Sequence, residues 1–248
     1  MNFRKHFERV LLCGALCLSA SAAKAATISE IEGNDTSGTA NPLAPALFTP
    51  NSDPNVFGTD PTATISGAIG AAGDIDFFSF MAFNGDRAFF DIDLTDINNG
   101  PDTFLSLFDA GGTLLAGGDD SPPADMGSVT DLDAFLGTFT FTTDGTFFIA
   151  VSQSGNVPNA FNDPNAIQSG LTRPDNQPSG GFAVSGVAPD QTFSNGMTGA
   201  TGAYQLNVTL VPAPEPGTMS LMAIGLASLG AASRKRKKKT QDEATTIA

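Results

Sequence analysis

Apolar and polar positions alternate most clearly over residues 73–94, GDIDFFSFMAFNGDRAFFDIDL. Asp74 and Asp76 open the stretch at i, i+2, a spacing that puts both on one face of an extended strand. Residues 77–82 predict an aromatic-rich strand. Asn84-Gly85-Asp86 supplies turn chemistry, because Asn-Gly tolerates the positive φ angles of a tight hairpin. Residues 87–94 predict the returning strand, with Phe90, Ile92 and Leu94 on one face and Asp91 and Asp93 on the other. A period of two with that polarity reads as a sheet with one packed face and one wet face.

The same pattern extends in both directions. Residues 64–69, 103–108, 113–116, 134–141, 146–152 and 203–211 each predict a short strand. Asp109-Ala110-Gly111-Gly112 and Asp144-Gly145 supply hairpin turns between neighbours. Residues 26–63 carry little strand pattern and read as an acidic lead-in linker. Residues 153–200, rich in Gly, Asn, Pro and Ser, read as a long irregular insertion. Short strands with no helical period between them predict an all-β fold, a single antiparallel β-sandwich spanning residues 64–211.

The two ends are of another kind. Residues 1–25 have the order of a secretory signal peptide: Arg4, Lys5 and Arg9, an apolar run over 10–18, then Ala23-Lys24-Ala25 as the signal peptidase site, with Ala23 and Ala25 at its small-residue positions. Cleavage there removes His6, Cys13 and Cys17, the only histidine and both cysteines. The body then has no disulfide, and it must hold itself together by its core.

Charge sharpens the functional reading. Four of the 12 Lys and Arg residues lie in the signal and six in residues 234–239, leaving Arg87 and Arg173 in the body. Against them stand 22 of the 26 acids, so the body carries about −20, almost all of it aspartate. That sign excludes nucleic acid as a partner. With no His, Cys or Lys in residues 26–213, nucleophilic triads and dyads, Schiff bases and His/Cys zinc sites all lack their parts. A carboxylate pair of glycosidase type acting on matrix polysaccharide is the remaining catalytic alternative. The body has no Trp and a single Tyr to form a sugar platform, so the composition points to a non-enzymatic protein. Calcium is the better use of the carboxylates, since it takes six to eight oxygen ligands. Glu30, Glu32, Asn34 and Asp35 cluster within six residues, and Asp74 and Asp76 share a strand face. A solvated acidic linker fits the same cluster, and these residues alone leave both readings open.

The tail has three parts in fixed order: Pro214-Glu215-Pro216-Gly217, an apolar run over 218–232, and the basic run 234–239. The apolar run is shorter than the ~20 residues of a membrane-spanning helix, and the basic run would hold its end on the cytoplasmic side. A plain C-terminal anchor fits those features. In its order, the tail resembles the PEP-CTERM sorting signal of Gram-negative bacteria. That resemblance implies a short hydrophobic helix retained transiently in the inner membrane through 218–232, and recognition by an exosortase. It also implies cleavage near Pro214, Glu215 and Pro216, and delivery to the cell surface or the extracellular matrix alongside exopolysaccharide. The sorting signal would span 212–239, and residues 240–248 form a polar tail beyond the point where such signals usually stop.

A second resemblance covers residues 28–211. The Glu-x-Glu-x-Asn-Asp opening, the Gly73-Asp74-x-Asp76-Phe77-Phe78 strand start, and the Leu105-to-Gly112 hairpin follow in order. The Asp119-Asp120 loop and the Gly145-to-Val151 strand complete the series. Together they resemble the bacterial pre-peptidase C-terminal domain. The family implies a jelly-roll-like sandwich that serves as an accessory module and binds calcium at its N-terminal linker. Carried over by position, Glu30, Glu32, Asn34, Asp35, Asp74 and Asp76 would be the Ca2+ ligands. Gly33 stands where many members have proline, and the 153–200 insertion is long for the family. The expected protein is therefore calcium-stabilised and associated with anionic exopolysaccharide in a biofilm. Asp119 and Asp120 read as a solvated loop, with a second calcium site as the alternative.

Overall fold

The structure, a computed structural model, describes residues 27–94, 100–194 and 200–214. Among the described residues thirteen strands form two sheets: β1 (Thr27–Ser29), β2 (Asn41–Pro42), β3 (Thr49–Pro50), β4 (Pro61–Ile69), β5 (Ile75–Ala82), β6 (Arg87–Leu94), β7 (Thr103–Asp109), β8 (Leu114–Gly118), β9 (Phe135–Thr140), β10 (Gly145–Gln153), β11 (Ile167–Thr172), β12 (Pro178–Val184) and β13 (Gly202–Val211). One sheet runs β1-β4-β13-β6-β9, with β3 also on β4, and the other runs β11-β12-β8-β7-β10-β5-β2. Pairing is antiparallel except at the short edges, where β1 lies parallel to β4 and β2 parallel to β5. The all-β sandwich expected from the alternation is what forms.

The main core lies between the sheets. Ile65, Phe90, Ile92, Tyr204, Leu206 and Val208 from the first sheet meet Phe78, Phe80, Leu105, Leu107, Ile149 and Val151 from the second. Each is an alternate position on its strand, so a period of two places them. Fully burying one such side chain contributes roughly 1.5–3 kcal/mol. The chain also buries both outer faces. Phe77, Phe108 and Ala150 lie on the outside of the second sheet under Ala166, Val184 and Phe193. Phe89 and Phe135 pack with Phe57 on the outside of the first.

Two expected hairpins are corrected by this arrangement. β5 and β6 do not pair: β5 lies between β10 and β2 in one sheet, and β6 between β13 and β9 in the other. The same holds for β9 and β10, which lie in different sheets across Asp144-Gly145. Both turns therefore arch between the sheets at one end of the sandwich, and they hold each other. Gly85 N–H donates to Phe141 O (2.8 Å), Phe141 N–H to Asp86 O (2.9 Å), and Asn84 N–H to Asp144 Oδ1 (2.7 Å). Gly85 does take the positive φ expected of it, +90°. Turn chemistry bends the chain, while the partners each strand takes, β10 and β2 for β5 and β13 and β9 for β6, set the sheet it joins. The hairpin expected at Asp109–Gly112 does form, with β7 paired to β8.

Three further expectations change. Asp91 and Asp93 are not on a wet face; both are buried, at 0% and 7% exposure. The lead-in over 26–63 contributes β1, β2 and β3 and so belongs to both sheets. The 153–200 segment contributes β11 and β12 as the edge of the second sheet and supplies part of the cover for Phe77 and Phe108. Residues 1–26, including Ala23 and Ala25, lie outside the described residues, as do Glu215, Pro216 and the 218–232 run.

Candidate metal centre

The chain after β1 crosses from one sheet to the other, and the acidic cluster sits on that crossing. Glu30 N–H continues the parallel ladder to Ser66 O (3.0 Å), and Phe77 N–H on β5 donates to Asn34 O (3.0 Å). Asn41 fixes the intervening loop, accepting from Ile31 N–H (2.7 Å) and donating to Ile31 O (3.0 Å). Residues 30–34 are thereby stretched over one end of the sandwich. Asp76 is in phase with Phe78 and Phe80, so its side chain points between the sheets and is fully buried.

One carboxylate oxygen each from Glu30, Glu32 and Asp76 lies within 4.8 Å of the other two. Tyr204, at the start of β13, donates to Asp76 Oδ2 (2.7 Å), and its hydroxyl is 3.3 Å from Glu30 Oε2. Ala68 N–H also donates to Glu30 Oε2 (2.9 Å). The other two oxygens, Glu30 Oε1 and Asp76 Oδ1, are buried and receive no hydrogen bond from a donor group. Burial pushes the Asp76 carboxyl up to about 9, offset in part by the Tyr204 bond and raised further by Glu30 and Asp74. Burial also raises Glu30, with Glu32 adding to the effect. At neutral pH and without a cation this pair therefore holds a proton, and a divalent ion that replaced it would satisfy both orphaned oxygens. All donors here are oxygen, which suits calcium rather than zinc.

Three of the five expected carboxylates therefore come together. Asp74 stands at the rim: its Oδ2 accepts from Gly70 N–H (2.5 Å), and a Cβ on Gly70 would sit 3.7 Å from Glu32 Oε1. Asn34 is fully buried with both side-chain polar atoms unpartnered, and exposed Asp35 is not among the three clustered carboxylates. Sequence reasoning missed Tyr204, far along the chain. Its one signal was that it is the sole tyrosine, on the apolar face of its strand.

A second acidic group forms at the Asp119-Asp120 loop. Asp102, Asp119 and Asp120 place carboxylate oxygens within 4.8 Å of one another. Asp119, expected in a solvated loop, is half-buried, and its carboxyl is pushed up to about 6 by burial, against a bond from Ser154 Oγ (3.0 Å).

The sorting tail leaves from the opposite end. Asp76 and Tyr204 stand at the starts of β5 and β13, whereas Pro212 to Pro214 follow the end of β13, where Ala213 N–H donates to Asp86 Oδ1 (2.8 Å). Among the described residues no helix is long and apolar enough to cross a membrane.

The solved structures with a distant likeness include three of PliG, a periplasmic lysozyme inhibitor of g-type lysozyme. The Aeromonas hydrophila protein is 10% identical with a TM-score of 0.30, covering 75% of this chain and 100% of that one. The Salmonella Typhimurium protein is 12% identical with a TM-score of 0.29, over 60% and 91%. A mutant of the Escherichia coli protein is 11% identical with a TM-score of 0.27, over 75% and 98%. These scores are too low to carry anything from those proteins to this one. A comparison with curated proteins found no match. The resemblance of residues 28–211 to the pre-peptidase C-terminal domain is not supported by a family match. Residues 212–237 do match the PEP-CTERM protein-sorting motif, the mark of an exported protein processed by an exosortase and sorted to the cell envelope or the extracellular space.

Proposed function

We propose that the chain is a non-enzymatic structural protein of the bacterial surface or extracellular matrix, with a sandwich locked by calcium at Glu30, Glu32 and Asp76. The observation that carries this reading is the orphaned pair of oxygens, Glu30 Oε1 and Asp76 Oδ1, inside a three-carboxylate group that bridges the two sheets. The absence of His, Cys and Lys from residues 26–213 supports a binding role over a catalytic one. The sorting motif supports export, and its position at the far end of the sandwich would turn the acidic end away from the point of attachment.

Calcium shared between the body and an anionic exopolysaccharide would join the protein to the matrix. In a co-sedimentation assay with an acidic polysaccharide, the purified protein is expected in the pellet with calcium and in the supernatant with EDTA. Asp76→Asn is expected to lower the pelleted fraction, because the domain end that presents calcium loses its ion. Equal pelleting in EDTA would exclude calcium bridging. The sorting half of the proposal is tested separately in the producing cell. Glu215→Ala is expected to leave the protein at its uncleaved mass in the membrane fraction, and normal maturation of that variant would reject exosortase processing at this site.

A further inference from the structure

The end of the sandwich from which the sorting tail leaves carries an apolar groove with a volume of about 690 Å3. Leu43 and Phe48, from the segment between β2 and β4, form one side, and Met81 and Phe83, around the end of β5, form another. Met81 and Phe83 are 44% and 57% exposed. Single apolar side chains on a surface are ordinary, but here two large ones stand open to solvent around one concavity.

The remaining side of the groove is the start of the tail itself. Pro212, Ala213 and Pro214 line it, and the matched sorting motif begins at residue 212. Asp86 ties this segment to the turn that carries Phe83. Its Oδ1 accepts from Ala213 N–H (2.8 Å) and its Oδ2 from Phe83 N–H (2.9 Å). Gly85 permits the close approach, since a Cβ there would stand 3.1 Å from Ala213 Cβ. The first residues of the sorting motif are therefore part of the surface of the body.

An exosortase that cleaves near Pro214-Glu215-Pro216 must close around a chain whose preceding residues form the wall of this groove. Four residues separate Pro214 from the apolar run at 218, at most about 14 Å of extended chain, so the body stands against the enzyme as it acts. We propose that the groove docks the exosortase, which seats an apolar projection against Met81 and Phe83 while its active site takes the residues beyond Ala213. This inference rests on the sorting reading above and deepens it, because it makes the folded body part of the substrate. The partner surface is apolar at its centre with a basic flank. Asp144 is exposed at the groove, and the body carries about −20 against two arginines. An anionic bilayer surface is the poorer occupant, because the same charge repels it.

Maturation in the producing cell and photocrosslinking test the docking site. Phe83→Asp places a charge in the groove at an exposed position, so the variant is expected to melt as the wild type does. Its maturation is expected to slow about tenfold, with the uncleaved chain accumulating in the membrane fraction. Phe182→Asp, on β12 towards the other edge of the second sheet, is the control and is expected to mature at the wild-type rate. Benzoylphenylalanine in place of Phe83 is expected to capture the exosortase, whereas in place of Phe182 it is not. The crosslink leaves the groove apolar, so it decides the matter if Phe83→Asp melts lower. Maturation of a stably folded Phe83→Asp at the wild-type rate overturns the docking site, as do adducts at position 83 with lipid alone or with a second copy of the chain. The two readings fail separately: if Glu215→Ala stays uncleaved while Phe83→Asp matures normally, the sorting reading stands and the docking site falls.

Discussion

Calcium in hundredfold excess over its Kd is expected to raise the melting temperature of the protein by about 5–10 °C, and to do so far more at pH 8 than at pH 5. The first part follows from mass action: an ion that binds only the folded state adds about 2.7 kcal/mol at that excess, and a domain of this size gains roughly 2–4 °C per kcal/mol. The pH dependence follows from the carboxyls. Asp76 is held at about 9, Asp93 at about 7 and Asp119 at about 6, each pushed up mainly by burial. Their unfolded values lie near 4. Between pH 4 and pH 9 the folded chain therefore holds more protons than the unfolded one, and stability falls as pH rises. The calcium-free protein is thus most stable below about pH 4 as far as these groups are concerned, and it loses that contribution stepwise towards pH 9. Calcium needs the ionised carboxylates, so it competes with the same protons and binds tighter as pH rises. Differential scanning calorimetry at pH 5 and pH 8, in calcium and in EDTA, checks both signs. A calcium shift of equal size at the two pH values would show that the ion does not displace the proton shared by Asp76 and Glu30.

The strands were legible because alternation is local: β4, β7, β10 and β13 fall within a few residues of where the pattern puts them. Sheet membership was not, because Asn84-Gly85 and Asp144-Gly145 carry the same turn chemistry whether the flanking strands pair or part. Phe77 beside Phe78, and Phe89 beside Phe90, were the available sign that both faces of β5 and β6 are buried. The burial of Asp91 and Asp93 was hidden for a different reason. Their pattern is that of a wet face, and only a loop some 30 residues later covers them. At the candidate centre, the acidic cluster within residues 30–35 and the strand-face pair Asp74 and Asp76 contained the three carboxylates that meet. Nothing local linked Tyr204 to them, since that contact is set by strand order.

Gly67→Ala is expected to destabilise the protein by about 3 kcal/mol and to abolish the calcium-dependent rise in melting temperature. Gly67 lies opposite Tyr204 in the β4–β13 register. A Cβ there would stand 2.5 Å from the Tyr204 hydroxyl oxygen and overlap both the ring and Glu30 Oε2. The ring has no free space to retreat into, since Tyr204 is fully buried among core side chains. Relief requires a shift of the ring, which breaks its 2.7 Å bond to Asp76, or expulsion of Glu30 from the backbone N–H of Ala68. Overpacking of this kind costs about 1–3 kcal/mol, and a buried polar group left without its partner adds about 1–3 more. The expected fall in melting temperature is about 10 °C. Gly145→Ala is the control, because a Cβ at Gly145 meets nothing within 4 Å and its effect should stay within about 0.5 kcal/mol. Both glycines lie in strands, so the comparison separates the close approach at Gly67 from the loss of glycine itself. A Gly67→Ala variant that melts with the control and keeps its calcium response would mean that Tyr204 does not hold Glu30 and Asp76 in place, and the centre would have to be assembled by the carboxylates alone.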